Sequence, residues 1–244
     1  MWVSRPTCTV SPQHPCHVTT RLREHFAAHC LYALLLSLAT NTALAGQTPD
    51  TRAVLKTVFP EQIERDLAVS AAPEHLRAGA TVYVYGAKGF RTVQSGTNGF
   101  TCLLNRDAFF YGRTAFKPTC WDAEGATSYV PVMLRVAELL AVGKSVEEIR
   151  ADVDAGFKDG RFHRPRRTGV AFMLAGDIEL DPATGKLVKQ AFPGHYMIYA
   201  PGVSSEDLGY SREAATANPS LPVIFRSGAG GAELGYLIIV PQHQ

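Results

Sequence analysis

The sequence predicts a single α+β domain, a mostly antiparallel sheet covered by a layer of helices. Three observations lead there. Segments with a two-residue period stand near both ends of the mature chain, segments with helical period lie between them, and no stretch rich in Gly, Ser or charge divides it. With 244 residues, 46% hydrophobic and 19% charged, the chain is too apolar to be disordered and suits one domain. A formal net charge of +2 leaves no basic footprint for DNA or RNA, so no nucleic-acid partner is expected.

Residues 1–45 read as a signal peptide with a doubtful N-terminal extension, and residues 46–244 as the mature domain. Arg21 and Arg23 precede the apolar run Leu31–Ala39, and Ala43-Leu-Ala45 places small residues before a cut at Gly46. The segment before it carries Pro6, Pro12, Pro15, Cys8 and Cys16 without periodicity, which a start codon read at Val18 would explain. The apolar run is shorter than the ~20 residues of a membrane helix, so no transmembrane span is expected after signal removal. Cys30 precedes the run, so there is no lipoprotein cleavage box. The expected location is outside the cytosol, periplasmic or secreted.

The mature chain opens with helix. Asp50 or Thr51 caps a first helix through Val58, Pro60 starts a second with Ile63 and Leu67 on one face, and Pro73 starts a brief turn containing His75. The period then changes to two. Thr81–Tyr85, Arg91–Gln94 and Phe100–Leu104 are expected as three antiparallel strands with turns at 87–90 and 95–99. Residues 105–120 are expected as an irregular crossing loop.

From Trp121 the chain is expected to be helical, with Asp122 as cap and Val132, Met133, Val136, Leu139 and Leu140 at helical spacing until Gly143. Ser145-Val-Glu-Glu148 is a capping box for a second amphipathic helix carrying Val146, Ile149, Val153 and Phe157. Asp152-Val-Asp-Ala-Gly156 resembles the start of a calcium loop but lacks a closing Glu, and reads as a helix end. Strands are expected at 169–174, 195–200, 222–225 and 235–240, with a turn at Asp181–Gly185. Gly228–Gly231 leads into a strand without the Lys-Ser/Thr ending of a phosphate loop, and reads as a hairpin.

Of five Cys, three fall in the leader, leaving Cys102 and Cys120. In an exported domain a lone pair reads first as a disulfide, contributing about 3 kcal/mol through loop-closure entropy. The competing reading makes one of them a nucleophile with a His as base.

His195 is the leading candidate for chemistry, because strand alternation puts it on one face with Met197 and Tyr199, an imidazole beside a phenol. The competing reading is a His bonded to a backbone carbonyl at the rim of the sheet. Asp122 and Glu124 beside Trp121 could ligate a divalent metal together with His195, with His163 as an additional ligand, although carboxylates at a helix start are also what capping selects. Arg161–Arg167 is the one basic cluster, fit for an anionic ligand or for a solvated loop.

Asn98-Gly-Phe-Thr-Cys102, Cys120-Trp-Asp122, Gly169–Leu174, Pro193-Gly-His195-Tyr-Met197 and Gly235–Pro241 together resemble a group of uncharacterised bacterial exported proteins. The resemblance spans about Ile63 to Pro241. In that group a Pro-His-hydrophobic-Met strand recurs, whereas here Gly194 separates Pro193 from His195. The resemblance implies export and the Cys pair, and no activity.

Three functions follow as expectations. The first is an exported module binding a small ligand or an envelope protein in a cleft edged by Trp121, His195 and Tyr199. The second is a metal-assisted hydrolase using His195 with Asp122 and Glu124, with Tyr199 beside it. The third is a structural envelope protein with no ligand.

Overall fold

The structure, a computed structural model, describes residues 51–218 and 221–241. The segment read as a signal peptide, its cut site and His243 lie outside the described residues. Three short helices come first: α1 (Thr51–Leu55), α2 (Glu61–Val69) and α3 (Glu74–Arg77). Pro60 and Pro73 stand at the N-cap positions of α2 and α3, where a missing N–H costs nothing. Strands β1 (Thr81–Gly86), β2 (Gly89–Gln94), β3 (Thr101–Asn105) and β4 (Lys117–Trp121) follow, then the long helices α4 (Ala123–Ala141) and α5 (Val146–Asp159). The last third holds β5 (Val170–Met173), β6 (Asp177–Leu180), β7 (Leu187–Phe192), β8 (His195–Tyr199), the short helix α6 (Arg212–Ala217), β9 (Val223–Phe225) and β10 (Tyr236–Ile239).

Eight strands form one sheet in the order β2-β1-β3-β4-β5-β8-β10-β9, and β6 and β7 make a separate ribbon. The result is a single α+β domain, antiparallel at every joint of the large sheet except one. That joint corrects the expected three-stranded meander: β3 lies parallel to β1, on the side away from β2. The reason is the 95–100 segment, which crosses the end of β1. Thr97 and Asn98 donate their N–H groups to the Gly79 carbonyl, and Thr81 N–H donates to Phe100 O at 2.8 Å. Gly96 is packed so tightly on the Gly79–Thr81 backbone that a Cβ there would collide.

A second correction concerns residues 105–120. They hold a 3-10 turn at Asp107–Tyr111 and all of β4 but its last residue, a strand that pairs antiparallel with β3 in the register Cys102↔Cys120. Pro118 inside the strand and the polar Lys117 and Thr119 hide the two-residue period. Trp121 accordingly ends β4 rather than opening the helix. Asp122 is the cap, accepting from Gly125 N–H at 3.0 Å.

Every residue of β3 and β4 is buried, so both faces of the sheet centre are covered. Cys102 and Cys120 turn toward Ala68 of α2, with the Cys120 sulfur 3.7 Å from Ala68 O. Trp121, one residue on, turns to the other face and meets Gly125 of α4. The helices pack on the sheet, α2 against the Cys102–Cys120 face and α4 against the Trp121 face. The core on the α4 side gathers Leu103, Trp121, Tyr129, Val132, Val136 and Leu140.

The Ser145 capping box forms as expected. Gly156 does not end α5, however. It lies inside the helix where Phe162 packs against its bare Cα, and the turn comes at Gly160 in the left-handed region. Strand β7 escapes sequence reading because Leu187-Val-Lys-Gln190 is exposed throughout and shows no buried face. The Asp181–Gly185 turn joins β6 to β7 as predicted, Asp181 O accepting the Gly185 N–H. The Gly228–Gly231 segment connects β9 to β10 through a 3-10 turn at Gly231–Leu234.

Candidate functional site

The predicted site divides into two places. Asp122 and Tyr199 meet: the Tyr199 hydroxyl donates to Asp122 Oδ1 at 2.9 Å. The same oxygen accepts the Gly125 N–H, and Oδ2 accepts the Val170 N–H at 3.0 Å. Asp122 is thus a brace linking α4, β5 and β8, with both oxygens in use. Burial and the neighbouring Asp122 charge push the Tyr199 phenol well above its ordinary range, so it stays protonated. Trp121, 1% exposed, donates its indole N–H to Tyr236 Oη at 2.9 Å. Tyr129 stacks on Tyr236 at 4.6 Å and donates to Gly235 O at 3.0 Å. These aromatics are buried in the core and bond one another.

Glu124 is turned away from Asp122 and holds the basic cluster. Its Oε1 accepts Arg166 N–H at 2.6 Å, and its Oε2 pairs with Arg167 at 3.2 Å. Arg161 pairs with Asp152 and Asp159, and Arg164 with Glu233. The cluster is therefore a loop pinned by carboxylates. His163 lies in it, Nδ1 3.0 Å from Arg164 O.

His195 stands at the opposite end of β8 from Tyr199, about 13 Å along the strand. It is 2% exposed, its Nδ1 lies 2.8 Å from Pro193 O, and its ring sits edge-on to Phe192 at 5.0 Å. Burial, opposed by the Pro193 carbonyl and aided by Lys117, lowers its pKa to about 4. It is a neutral rim histidine bonded to backbone, the competing reading. Among the described residues no three His, Cys, Asp or Glu side chains could hold one metal ion, so His195, Asp122 and Glu124 do not gather one.

Comparison with known proteins adds nothing to decide among the functions. No family model, curated protein or solved structure matches this chain. The Cys102–Cys120 disulfide is formed, tying the middles of β3 and β4, so neither sulfur is a nucleophile. No helix among the described residues is long and apolar enough to cross a membrane.

The structure offers a different opening. A cleft of about 450 Å³ lies between the Gly112–Thr114 turn and the β6–β7 ribbon, walled by Arg113, Thr114, Glu179, Lys189 and Gln190. Lys189 and Glu179 pair across the ribbon at 3.2 Å, and Gln190 is held by its amide N–H to Ala175 O. Arg113 is exposed, and its guanidinium makes no hydrogen bond or ion pair with another described residue. Sequence reasoning missed this site because its residues belong to a turn and a ribbon without periodicity, and nothing in an isolated Arg-Thr step signals a cleft.

Proposed function

We propose that the mature chain is an exported binding module of the cell envelope that takes a small anionic ligand in the Arg113 cleft. One observation carries the reading: an exposed guanidinium with five donors, none of them bonded to another described residue, stands on the wall of a concave polar site. Binding is favoured over hydrolysis because the cleft walls carry no His or Cys and their one carboxylate, Glu179, is held by Lys189. The leader pattern and the disulfide support export.

Calorimetric titration of the purified mature protein with small carboxylates and phosphates tests it. Saturable heat is expected for at least one anion. Arg113→Ala should weaken it about ten- to a hundred-fold, the worth of a charge-assisted pair, without changing the melting temperature. Absence of saturation across the panel, or equal binding by the variant, would refute the reading. A partner protein's acidic segment is the second reading. It is favoured by Leu187 and Val188, 61% and 64% exposed on β7 beside Lys189. Tighter binding of acidic peptides than of free acids would select it.

A further inference from the structure

Lys117 opens β4 as a buried cation. Its Nζ stands 2.5 Å from Oδ1 of Asp107, a buried carboxylate at the start of the 3-10 turn. No other donor among the described residues reaches Oδ1, so the ammonium is its sole partner. Aromatic rings exclude water around the pair, with Nζ 5.4 Å from the Tyr111 centroid and 5.6 Å from that of Phe225. Gly228 closes the site: a Cβ there would sit 3.0 Å from Asp107 Oδ2.

A second carboxylate faces the same ammonium. Phe116 and Ile178 form an antiparallel bridge, exchanging both backbone hydrogen bonds at 2.7 and 2.9 Å. In an antiparallel pair the residue after one partner opposes the residue before the other, so Lys117 stands across from Asp177 with Cβ atoms about 5 Å apart. Burial pushes the Asp177 carboxyl up, against the pull of Lys117. A lysine with one carboxyl group in contact and a second one across the ladder, in an apolar cage, is the equipment for amide formation.

We infer that Lys117 and Asp107 condense to an intramolecular isopeptide bond, with Asp177 relaying the protons. Asp177 takes a proton from the ammonium, and the freed amine adds to Asp107 Cγ, forming the C–N bond. The tetrahedral centre then expels one carboxyl oxygen by breaking its C–O bond. That oxygen leaves as water with the two protons that nitrogen has lost. One ammonium and one carboxylate become one neutral amide and one water, so no oxidant or further reactant is needed. Two effects drive the step. Held contact replaces a bimolecular encounter, and a neutral amide removes the desolvation penalty of two buried ions, several kcal/mol each. The bond would close the turn that carries Arg113 and Thr114, and it does not depend on what the cleft binds.

Tryptic mapping of the reduced and alkylated full-length mature protein tests this. Cleavage after Arg106, Arg113 and Arg135 releases peptides 107–113 and 114–135. The expected product is one branched species joining them through Asp107 and Lys117, lighter than their sum by the mass of one water. Asp177→Asn should release the two peptides separately while keeping the wild-type near-ultraviolet circular dichroism, and Lys117→Arg should never branch. Two separate, unmodified peptides from the wild-type protein would overturn the bond whatever the variants do. Branching in Asp177→Asn as complete as in the wild type would overturn the relay.

Discussion

Glu64→Gln is the most informative test of what holds the helices of the N-terminal region to the sheet. Glu64 of α2 and Arg106, just after β3, form a buried pair, with Arg106 Nη2 2.8 and 2.6 Å from the two carboxylate oxygens. The guanidinium also donates to Leu55 O at 2.8 Å and Thr57 O at 2.9 Å, and lies over the Tyr85 ring at 4.2 Å. Burial pushes Glu64 up and Arg106 down, and their mutual attraction opposes it. Gln keeps the shape of Glu64 but leaves an uncompensated buried cation, which costs about 3–5 kcal/mol. Domains are stable by about 5–15 kcal/mol, so the variant should lose about a fifth or more of that reserve. Replacing both partners at once, Glu64→Leu with Arg106→Met, removes the stranded charge. It leaves the buried Leu55 carbonyl unbonded, at about 1–3 kcal/mol. Urea unfolding with free m-values reads both. A Glu64→Gln loss under about 1 kcal/mol, or a double variant as unstable as the single, would show that the pair is not the clamp described.

Removing the disulfide by Cys102→Ala with Cys120→Ala should lower stability by about 3 kcal/mol, because the sulfurs close a loop with a sequence separation of 18; a denaturation midpoint unchanged by reduction would contradict that. Gly125→Ala should cost about 1–3 kcal/mol, since a Cβ there collides with the Tyr199 hydroxyl and crowds Trp121; calorimetric melting that matches the wild type would show that the Asp122–Tyr199 brace can yield. His195 is lowered from 6.5 to about 4 in the fold, so the unfolded chain binds its proton first as pH falls. Its contribution is complete above its ordinary pKa and is lost as pH falls from there toward about 4, a decline of about 3 kcal/mol. Measured across that window, the stability of wild type should fall relative to that of His195→Phe by about that amount; parallel curves would mean the imidazole is solvated. Arg113→Ala should change anion binding alone.

Much of the fold was legible because it rests on local chemistry. Asp122 and Ser145 announce helix starts through capping hydrogen bonds made within a few residues, and Pro60 and Pro73 through a fixed backbone angle that suits a helix start. The β8 alternation likewise puts His195, Met197 and Tyr199 on one buried face. The site was less legible. His195 and Tyr199 share a face, yet an extended strand carries them too far apart to act together. Carboxylates adjacent in sequence go to different tasks, Asp122 to a cap and brace, Glu124 to the Arg166–Arg167 loop.

The amino-acid order alone determined the class of the fold, the capped helices, the facing of β8 and the pairing expected of two remaining cysteines, since periodicity, caps and composition act over a few residues. Only tertiary structure decided that β3 runs parallel to β1, that Pro118 sits in a buried strand, and that Lys117 meets Asp107. Those outcomes depend on which segments cross each other in space. Crossings are selected by the burial of many side chains at once, a sum that no window of neighbouring residues contains.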